Sequence, residues 1–309
     1  MNWRSCRRSR RAFPHCSAAT ANADVTFRAA ARLYWIASYP KSGNTWLRAA
    51  LTSLRHGGGV VDINRLDGER IASSRMLFDR YTSVEASNLT DTEIQRLRPA
   101  VFRSLAQAQQ KPVLCKVHDA YARAGDEPLF PADATLGAVY IVRDPRDVAV
   151  SLAHHRQWSL RRAVDFLCTP DVDMAASRDR MNRQLRQSLG SWSQHVQSWV
   201  APDGAAGAFP VRVVRYEAMH SDLLTILGDI ASDMGWRVDA AQLGGAVAAS
   251  GFDRLKRQED AGGFSERPAT MQAFFRKGQF DGWREALSPA QAAQIEDCHA
   301  EWMERFGYR

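Results

Sequence analysis

Three features that would place a protein in a specialised class are missing from this sequence of 309 residues. No stretch approaches the roughly 18 unbroken apolar residues that a membrane-spanning helix requires, so we expect no membrane span. The five cysteines are scattered and show no C-x-x-C spacing, which indicates neither a disulfide framework nor a zinc site. No internal repeat or low-complexity linker divides the chain. These absences favour a cytoplasmic protein with one large domain.

The positive charge of the chain is concentrated at its beginning. The formal net charge is +7 at pH 7, and five arginines but no acidic residue occur within residues 1–23. The rest of the chain therefore carries only about +2 (7 − 5), which is weak evidence for nucleic-acid binding. The pair Arg10-Arg11 resembles part of an export motif, but no apolar segment follows it. We expect no nucleic-acid partner and interpret residues 1–30 as a disordered, Arg-rich tail before a domain over residues 31–309.

Apolar runs of strand length alternate with longer helical patterns along this domain. Because strands that alternate with helices of this length form parallel sheets, we predict an α/β fold with a central, mostly parallel sheet flanked by helices. Ligands of such sheets bind beyond the carboxyl ends of the strands, so the residues after each strand are the first candidates for a site. The predicted strands cover residues 33–38, 112–116, 137–142 and 211–215, and the predicted helices cover residues 44–54, 90–109, 147–158, 217–234 and 288–307.

The first candidate site is the stretch SYPKSGNTW over residues 38–46, which joins the first predicted strand to a helix. A helix N-terminus carries about half a positive charge, Lys41 adds a full charge, and phosphate or sulfate binds readily at such places. The stretch is not a Walker A motif, because the GK[ST] ending is missing and the lysine precedes the glycine. A plain strand-to-helix turn would use similar residues and is the alternative interpretation.

A second candidate follows the second predicted strand, in the sequence KVH of residues 116–118. Imidazole titrates near ~6.5 and is a common general base for a hydroxyl group. His118 would lie at the same edge of the sheet as the anion-binding loop, which favours a catalytic role. A histidine at a strand end is also commonly a surface residue with a structural hydrogen bond, and that alternative stays open.

Two further basic stretches are candidates for binding an anion. In RDPRDVAVS, Arg143 ends a strand and Ser151 follows on a helix, so a guanidinium and a hydroxyl could hold one phosphate. In FFRKG, Arg276 and Lys277 precede Gly278, which suits an anion held partly by backbone N–H groups. The alternatives are a capped helix start with internal ion pairs for the first stretch and a solvated basic turn for the second.

Together these stretches resemble a known family. The motifs YPKSGNTW, KVH, RDPRDVAVS, RYEAM and RKGQFDGW are similar in order and rough spacing to those of the PAPS-dependent sulfotransferases, in their soluble, cytosolic-type branch. The resemblance covers residues 33–309. It implies a single α/β domain with a P-loop-like strand–loop–helix unit. The implied reaction transfers a sulfuryl group from 3′-phosphoadenosine 5′-phosphosulfate (PAPS) to a hydroxyl or amine of a small-molecule acceptor, with PAP as product and no metal.

The resemblance also implies a role for each matching residue. His118 would take the proton of the acceptor, Lys116 would steady the sulfuryl group, and Lys41 would stabilise the leaving oxygen. The 5′-phosphosulfate would be held by Lys41, Ser42, Gly43, Asn44 and Thr45. The 3′-phosphate would be held by Arg143, Ser151, Arg276, Lys277 and Gly278. The adenosine would contact Trp46, Tyr216, Ser250 and Phe252, and His154 would lie near the acceptor.

The sequence departs from the family pattern in a few places. Asn44 replaces the commoner Thr of the loop, and residues 281–283 have the sequence DGW where GDW is usual. The short dimerisation motif of animal members is not found, so the oligomeric state stays open. The acceptor is not identified, although residues 56–90 and 159–190 are expected to form its pocket walls. A P-loop-type kinase and a non-catalytic nucleotide-binding module are the alternative functions.

Overall fold

The structure, a computed structural model, describes most of the predicted domain. The described residues are 32–68, 71–176, 182–268, 271–276 and 278–309. The predicted tail over residues 1–30 and the predicted phosphate ligand Lys277 lie outside the described residues.

Four parallel strands form the central sheet, in the order β2-β1-β5-β8. These strands are β1 (Leu33–Ser38), β2 (Val113–Val117), β5 (Thr135–Val142) and β8 (Val211–Arg215). All four were predicted from their apolar runs, two with identical bounds and two with ends displaced by one or two residues. Two antiparallel pairs of two-residue strands lie outside this sheet: β3 (Arg123–Ala124) with β4 (Glu127–Pro128), and β6 (Asp173–Met174) with β7 (Gln187–Ser188).

Helices connect the strands and cover the sheet on both faces. No helix in the described part of the chain has the length and apolar character needed to cross a membrane. The helices are α1 (Asn44–Arg55), α2 (Arg75–Thr82), α3 (Asp91–Gln107), α4 (Pro145–Arg156), α5 (Leu160–Cys168), α6 (Trp192–Val200), α7 (Tyr216–Asp233), α8 (Ala240–Ala249), α9 (Phe252–Gly262), α10 (Trp283–Ala286), α11 (Pro289–Cys298) and α12 (Ala300–Arg305).

Strand β1 shows why the sheet needs helices on both sides. Leu33, Trp35 and Ala37 are buried in one apolar cluster, together with residues of α3, α4, α5 and α6. Tyr34 and Ile36 point the other way and are buried in a second cluster with residues of α1, α7 and α8. Successive side chains of a strand alternate between the two faces, so a strand covered on both sides is apolar throughout. The predicted α/β architecture is confirmed.

Side-chain caps explain where two of the predicted helices begin, although α4 starts two residues before its predicted start at residue 147. Thr90 and Glu93 form a capping box at the start of α3, since Thr90 Oγ1 accepts from Glu93 N at 3.3 Å and Glu93 Oε2 accepts from Thr90 N at 2.8 Å. Helix α4 begins at Pro145, with Asp144 Oδ1 accepting from Arg146 N at 2.8 Å. Each of these caps is formed by residues within three positions of one another, so a local sequence pattern is enough to place the start of the helix nearby.

The last predicted helix is wrong in one respect, because it is broken at His299. This residue has φ −127° and ψ 17°, which separates α11 from α12. Its buried ring lies 5.3 Å from the ring of Trp192 and its Nδ1 is 2.9 Å from Ser193 Oγ. The break therefore coincides with contacts to α6 that no local sequence pattern marks.

Candidate active site

The carboxyl ends of the four sheet strands open onto one cavity of about 720 Å³. The chain reaches this edge at residues separated widely in sequence, so the cavity brings the predicted motifs together. The predicted site residues that line it are Lys41, Gly43, Asn44, Thr45, Trp46, Lys116, His118, Arg143, Ser151, Tyr216, Phe252, Arg276 and Gly278.

Three predicted residues lie near the cavity without lining it. Ser42 is fully buried within the loop, and Ser250 is fully buried with its Oγ donating to Ala246 O at 2.8 Å. His154 is exposed, whereas the next residue, His155, lines the cavity. Residues Asp147, Ser151 and His155 recur every four positions and share one face of α4, so His154 is rotated away from that face. His155, and not His154, therefore faces the cavity.

The loop between β1 and α1 lines the cavity, and helix α1 begins there. Lys41 and Gly43 both have left-handed backbone conformations, with φ of +74° and +101°. Helix α1 begins without a side-chain cap, although α3, α6, α8 and α11 each have a capping box. Asn44 instead ties the helix start to the sheet, with its Nδ2 donating to Ile36 O at 2.8 Å. An uncapped N-terminus that faces a cavity can bind an anion through its first amides.

Gly43 is required by both its backbone and its neighbour, which predicts a large effect of Gly43→Ala. An added Cβ would lie 2.5 Å from Cδ2 of Tyr216, and φ of +101° is already unfavourable for alanine. The matched control is Gly57→Ala, where φ is +83° but no atom lies within 4 Å of the added Cβ. We expect Gly57→Ala to cost about 1 kcal/mol of backbone strain and Gly43→Ala to cost about 2 kcal/mol more, measured by urea unfolding. Equal losses would show that the Tyr216 ring yields without cost.

Positive charge is concentrated around this loop. Burial is the largest of the effects that lower the pKa of Lys41 to about 7, and the neighbouring cations Lys116, Arg143, Arg156 and Arg276 account for the rest. The Lys41 ammonium nitrogen lies 4.3 Å from the centre of the Phe274 ring and 3.4 Å from Nδ1 of His155. A polyanion in the cavity would relieve this repulsion, so the arrangement favours anionic ligands.

Arg143 joins the loop to the C-terminal basic stretch. Its Nη1 donates to Lys41 O and its Nη2 donates to Gln279 O, both at 3.0 Å. The guanidinium lies 4.2 Å from the centre of the Tyr216 ring. Arg143 is therefore held in place while its buried Nε is left without a hydrogen-bond partner among the described residues.

The C-terminal stretch is fixed by close packing and by one carboxylate. Gly278 has φ +59°, and a Cβ there would overlap the Phe252 ring at 2.1 Å, so the two residues lie face to face. Asp147 accepts from the backbone of Asp281 at 2.7 Å and of Trp283 at 3.0 Å. The unusual DGW order places Asp281 at φ +64°, a conformation that glycine adopts more readily. The backbone nevertheless brings Gly278 to the cavity.

The ring of His118 is oriented by contacts of its Nδ1 with the carbonyl and the hydroxyl of Ser38. Its Nδ1 lies 2.9 Å from the carbonyl oxygen of Ser38, and because a carbonyl only accepts, Nδ1 carries the hydrogen. Nε2 is then unprotonated. Burial, together with the positive charge of Lys116, lowers the pKa of His118 to about 3. The imidazole is therefore neutral at pH 7, with Nε2 able to accept a hydrogen bond at the cavity wall.

A buried hydrogen-bond chain supports the segment that contains His118. Tyr140 Oη donates to His195 Nδ1 at 2.9 Å, and His195 Nε2 donates to the carbonyl of His118 at 3.0 Å. The next residue, Asp119, forms a bidentate pair with Arg98 at 2.6 and 2.9 Å, buried at both ends. These contacts come from α3, α6 and the sheet strand β5, so the segment that contains His118 is fixed from several elements.

Comparison with known proteins identifies the family. The chain matches the sulfotransferase domain family over residues 32–307. It belongs to the sulfotransferase family. Among curated relatives, it is 26% identical to dog sulfotransferase 1A1 over 279 residues, covering 88% of this chain and 83% of that protein. It is 24% identical to cytosolic sulfotransferase 17 of Arabidopsis thaliana over 302 residues, covering 93% and 79%.

Solved structures of similar fold include two with PAP bound. Retinol dehydratase in complex with retinol and PAP superposes with a TM-score of 0.57 at 19% identity, covering 89% of this chain and 82% of that one. A mouse sulfotransferase in complex with PAP has a TM-score of 0.54 at 20% identity, covering 88% and 85%. These similarities show that the sulfotransferase described here has the fold of those proteins.

The site of this sulfotransferase contains an ion-pair cluster that the sequence did not reveal. Glu266 Oε2 lies 2.8 Å from Lys116 Nζ, and Glu266 Oε1 lies 2.6 Å from Nη1 of the fully buried Arg48. Burial opposes ionisation of Glu266, but the two cations outweigh it and lower its pKa to about 2. The partners lie 150 and 218 residues apart, so no local pattern signals the cluster. The ion pair with Glu266 thus fixes the position of the Lys116 side chain, which lines the same cavity as His118.

The sequence predicted two of the three rings that form an aromatic group in the cavity. Trp46 and Tyr216 were predicted, and their ring centres lie 5.7 Å apart at 74°. His220 completes the group, 4.7 Å from Trp46 and 5.0 Å from Tyr216. Its position four residues after Tyr216 on α7 is the signal that could have identified it.

Proposed function

We propose that this sulfotransferase transfers the sulfuryl group of PAPS to a hydroxyl or amine of a small-molecule acceptor. One observation carries the proposal. An uncapped helix start, the cations Lys41, Lys116 and Arg143, and the neutral base His118 face the same cavity. Family membership fixes the class of reaction, and this convergence supplies the groups that such a reaction needs.

The donor half of the cavity fits a nucleotide with phosphate groups at both ends. Buried donors without partners among the described residues include Nε1 of Trp46 and Nε of Arg143. PAPS supplies a sulfuryl group that is activated by its bond to the 5′-phosphate. The loop of Lys41 to Thr45 would hold the 5′-phosphosulfate. The 3′-phosphate would contact Arg143, Ser151, Arg276, Gly278 and Lys277, and the adenosine would contact Trp46, Tyr216 and Phe252.

The acceptor half supplies proton transfer and charge stabilisation. Nε2 of His118 accepts the proton as the acceptor oxygen or nitrogen forms its bond to sulfur. The bond between sulfur and the bridging oxygen breaks, and Lys41 stabilises the negative charge that develops on this oxygen. Lys116 donates to the oxygens of the sulfuryl group in transfer. Such transfers depend mainly on alignment and electrostatic stabilisation, which these fixed side chains provide.

The kinase alternative is disfavoured by the position of Asp144. A P-loop-type kinase would use this residue, at the end of β5, to hold a metal ion. The carboxylate instead forms hydrogen bonds with the guanidinium of Arg146 at 2.7 to 3.2 Å and does not line the cavity. The other alternative is a non-catalytic nucleotide-binding module. In such a protein His118 would have no catalytic role, so replacement of His118 tests this alternative.

Selective binding of PAP tests the proposal. At 100 times its dissociation constant, PAP should stabilise the protein by about 2.7 kcal/mol, equivalent to a rise in Tm of roughly 5–10 °C. ADP lacks the 3′-phosphate and should give a much smaller shift, with or without Mg²⁺. The variant Arg276→Ala removes an exposed cation of the cavity, so we expect the unliganded Tm to be unchanged and the PAP shift to fall. A larger shift with ADP and Mg²⁺ than with PAP would contradict the proposal.

A further inference from the structure

The two lysines assigned above to the sulfuryl transfer have different charged neighbours. The described charges that act on Lys41 are all positive, namely Lys116, Arg143, Arg156 and Arg276. Lys116 instead has a carboxylate partner, because Glu266 Oε2 lies 2.8 Å from its Nζ. The side chains of Lys116 and Glu266 are 15% and 28% exposed, so the ion pair is largely removed from water. Glu266 therefore acts directly on Lys116.

Glu266 bridges two cations with its two carboxylate oxygens. Oε1 accepts from Nη1 of Arg48 at 2.6 Å, and Oε2 accepts from Nζ of Lys116. Arg48 is fully buried on α1, where its Nε also donates to the carbonyl of Asp67 at 3.2 Å. Because the guanidinium is fixed in this way, it orients the carboxylate of Glu266, and the carboxylate in turn orients the ammonium group of Lys116.

The turn that carries Glu266 is fixed by contacts on its N-terminal side. Asn64 Nδ2 donates to the carbonyl of Gly263 at 3.1 Å, and Asn64 Oδ1 accepts from the backbone N–H of Ser265 at 2.7 Å. Between these two residues, the buried ring of Phe264 belongs to an apolar cluster. The side chain of Glu266 therefore extends from a backbone that is held in place independently of the ion pair.

The ion pair also affects the charge of Lys116. Burial lowers the pKa of Lys116, the carboxylate of Glu266 opposes this effect, and the positive charge of Arg48 adds to it. Three further described groups are close enough to interact electrostatically with Lys116: Lys41, His118 and His155. Both of these histidines have a pKa of about 3 and are neutral at pH 7. Glu266 is thus the group within this described set that favours the protonated form of Lys116.

The bridge leaves Lys116 with both a charge and free donors. One carboxylate faces two cations, so Arg48, Lys116 and Glu266 together carry a net charge of +1 (2 − 1). An ammonium group has three N–H donors, and Glu266 accepts from one of them, so two remain for the oxygens of a sulfuryl group. A deprotonated amine would lack the positive charge and would have fewer donors to offer.

We propose that Glu266 is a positioning residue of the sulfuryl transfer, which holds the ammonium group of Lys116 at the cavity wall and keeps it protonated. The inference rests on the proposed function, in which Lys116 donates to the sulfuryl group. Glu266 acts through Lys116 and is not itself the base. Its two cations outweigh the effect of burial and lower its pKa to about 2, so proton abstraction is left to His118.

The pH dependence of kcat tests this role. Glu266→Gln keeps the size of the side chain but removes its charge, so the pKa of Lys116 in the substrate complex should fall and the alkaline limb of the profile should move to lower pH. On that limb, each unit of displacement lowers kcat about 10-fold. The ratio of wild-type to variant kcat, measured with PAPS and a phenolic acceptor, should therefore increase with pH.

Two further variants calibrate this profile. Glu266→Asp retains the carboxylate on a shorter side chain and should recover part of the shift. Asp260→Asn removes an exposed carboxylate that pairs with Lys256 at 3.1 Å and does not line the cavity. This control should have the pH profile of the wild type.

Urea unfolding detects the same charge without any turnover. The parent for this comparison is Lys41→Met, so that Lys41 does not titrate in the same range. Lys116 has a lower pKa in the folded protein than its ordinary value of 10.5, so its contribution to stability rises with pH between the two values. Glu266→Gln should widen this range towards lower pH. Its loss of stability should be largest near pH 6 and should shrink as the pH rises, by about 10-fold in the folding equilibrium constant for each unit by which the pKa falls.

The control for this measurement breaks the same bridge at its other cation. Arg48→Met removes the guanidinium and leaves Lys116 with Glu266, so its loss of stability should not shrink as the pH rises. Glu266→Gln leaves a fully buried guanidinium without its carboxylate, which is a large cost. If this variant does not fold, the double variant of Glu266→Gln with Arg48→Met is compared with Arg48→Met alone.

The possible results separate the inference from the proposed function. Losses of kcat and of stability that do not change with pH would show that Glu266 is only structural and would overturn the inference. A stability loss that changes with pH, with kcat unaltered at every pH, would show that the charge of Lys116 does not serve the reaction and would overturn it as well. Failure of the wild type to bind PAP would overturn the proposed function, and the unfolding experiment, which needs no nucleotide, would still report the effect of Glu266 on Lys116.

Discussion

Replacement of His118 by alanine is expected to lower kcat by a factor of about 10²–10⁴, which is the usual contribution of a positioned general base. The ring lines the cavity with Nδ1 donating to Ser38 O, so its removal takes away the Nε2 acceptor and no nucleotide contact assigned above. PAP affinity, measured by calorimetry, should therefore be unchanged. The rate is measured as release of PAP from PAPS in the presence of a phenolic acceptor.

Two comparisons make this result decisive. His154→Ala replaces an exposed histidine of the same region and should leave kcat as in the wild type. His118→Asn retains a polar group of similar reach but cannot accept the proton with comparable basicity, so it should be as slow as the alanine variant. If His118→Ala keeps the wild-type rate, another group is the base. A wild type that binds PAP without any transfer would favour the non-catalytic alternative.

The parts of the site that the sequence predicted correctly are those that depend on local order. The strand LYWIAS is apolar at every position except the last, because β1 is covered on both faces, and this made its bounds recognisable. The rule that parallel strands carry ligands at their carboxyl ends then predicted that Lys41, His118 and Arg143 lie at one edge of the sheet. The cavity lining confirms that these three residues are neighbours.

The parts that the sequence missed depend on contacts between distant segments. Glu266 occurs in a short loop sequence, FSERP, and nothing there indicates that it pairs with both Arg48 and Lys116. His195 lies in the middle of α6 and supports the backbone of His118 from 77 residues away. Periodicity and capping describe neighbours within about one helical turn, so pairings of this kind require the folded chain.

The histidine that faces the cavity was predicted wrongly, although local helix geometry is enough to identify it. The family resemblance implied that His154 lies near the acceptor, whereas the next residue, His155, lines the cavity. Helix α4 rotates by about 100° per residue, so only one of the two can share the face of Ser151. Counting four residues on from Ser151 gives His155, which lines the cavity and lies 3.4 Å from Lys41 Nζ. The sequence contained this answer once the face of the helix was used.

Replacement of Lys41 is the second change for which we expect a large effect. It should lower kcat and also alter how stability depends on pH. Lys41→Met keeps the side-chain bulk near Phe274 but removes the cation, so kcat should fall by about 10²–10³ if Lys41 stabilises the leaving oxygen as an oxyanion-hole donor does. The control is Lys256→Met, which removes a partly exposed lysine that pairs with Asp260 at 3.1 Å and does not line the cavity. The control should keep the wild-type rate, and a similar loss in both variants would contradict a specific role for Lys41.

The lowered pKa of Lys41 adds a test that does not depend on turnover. In the folded protein without nucleotide the pKa is about 7, below its ordinary value of 10.5. The unfolded chain therefore binds more protons between these values, and the contribution of this group makes stability rise as the pH increases from about 7 to 10.5. Lys41→Met should lose this rise, which can be measured from the pH dependence of urea unfolding.

Binding of PAP should raise the pKa of Lys41 back towards its ordinary value. The phosphates of PAP would place negative charge beside a lysine that is otherwise surrounded by cations. At pH 8 a group with a pKa near 7 is only about 10% protonated, so restoring its ordinary pKa would take up about 0.9 proton. Lys116 is already paired with Glu266 and should contribute less. Calorimetric titration of PAP in two buffers of different ionisation enthalpy measures this uptake. Uptake near zero in Lys41→Met, with uptake near one in the wild type, would assign the proton to Lys41, whereas equal uptake in both would place it on another group.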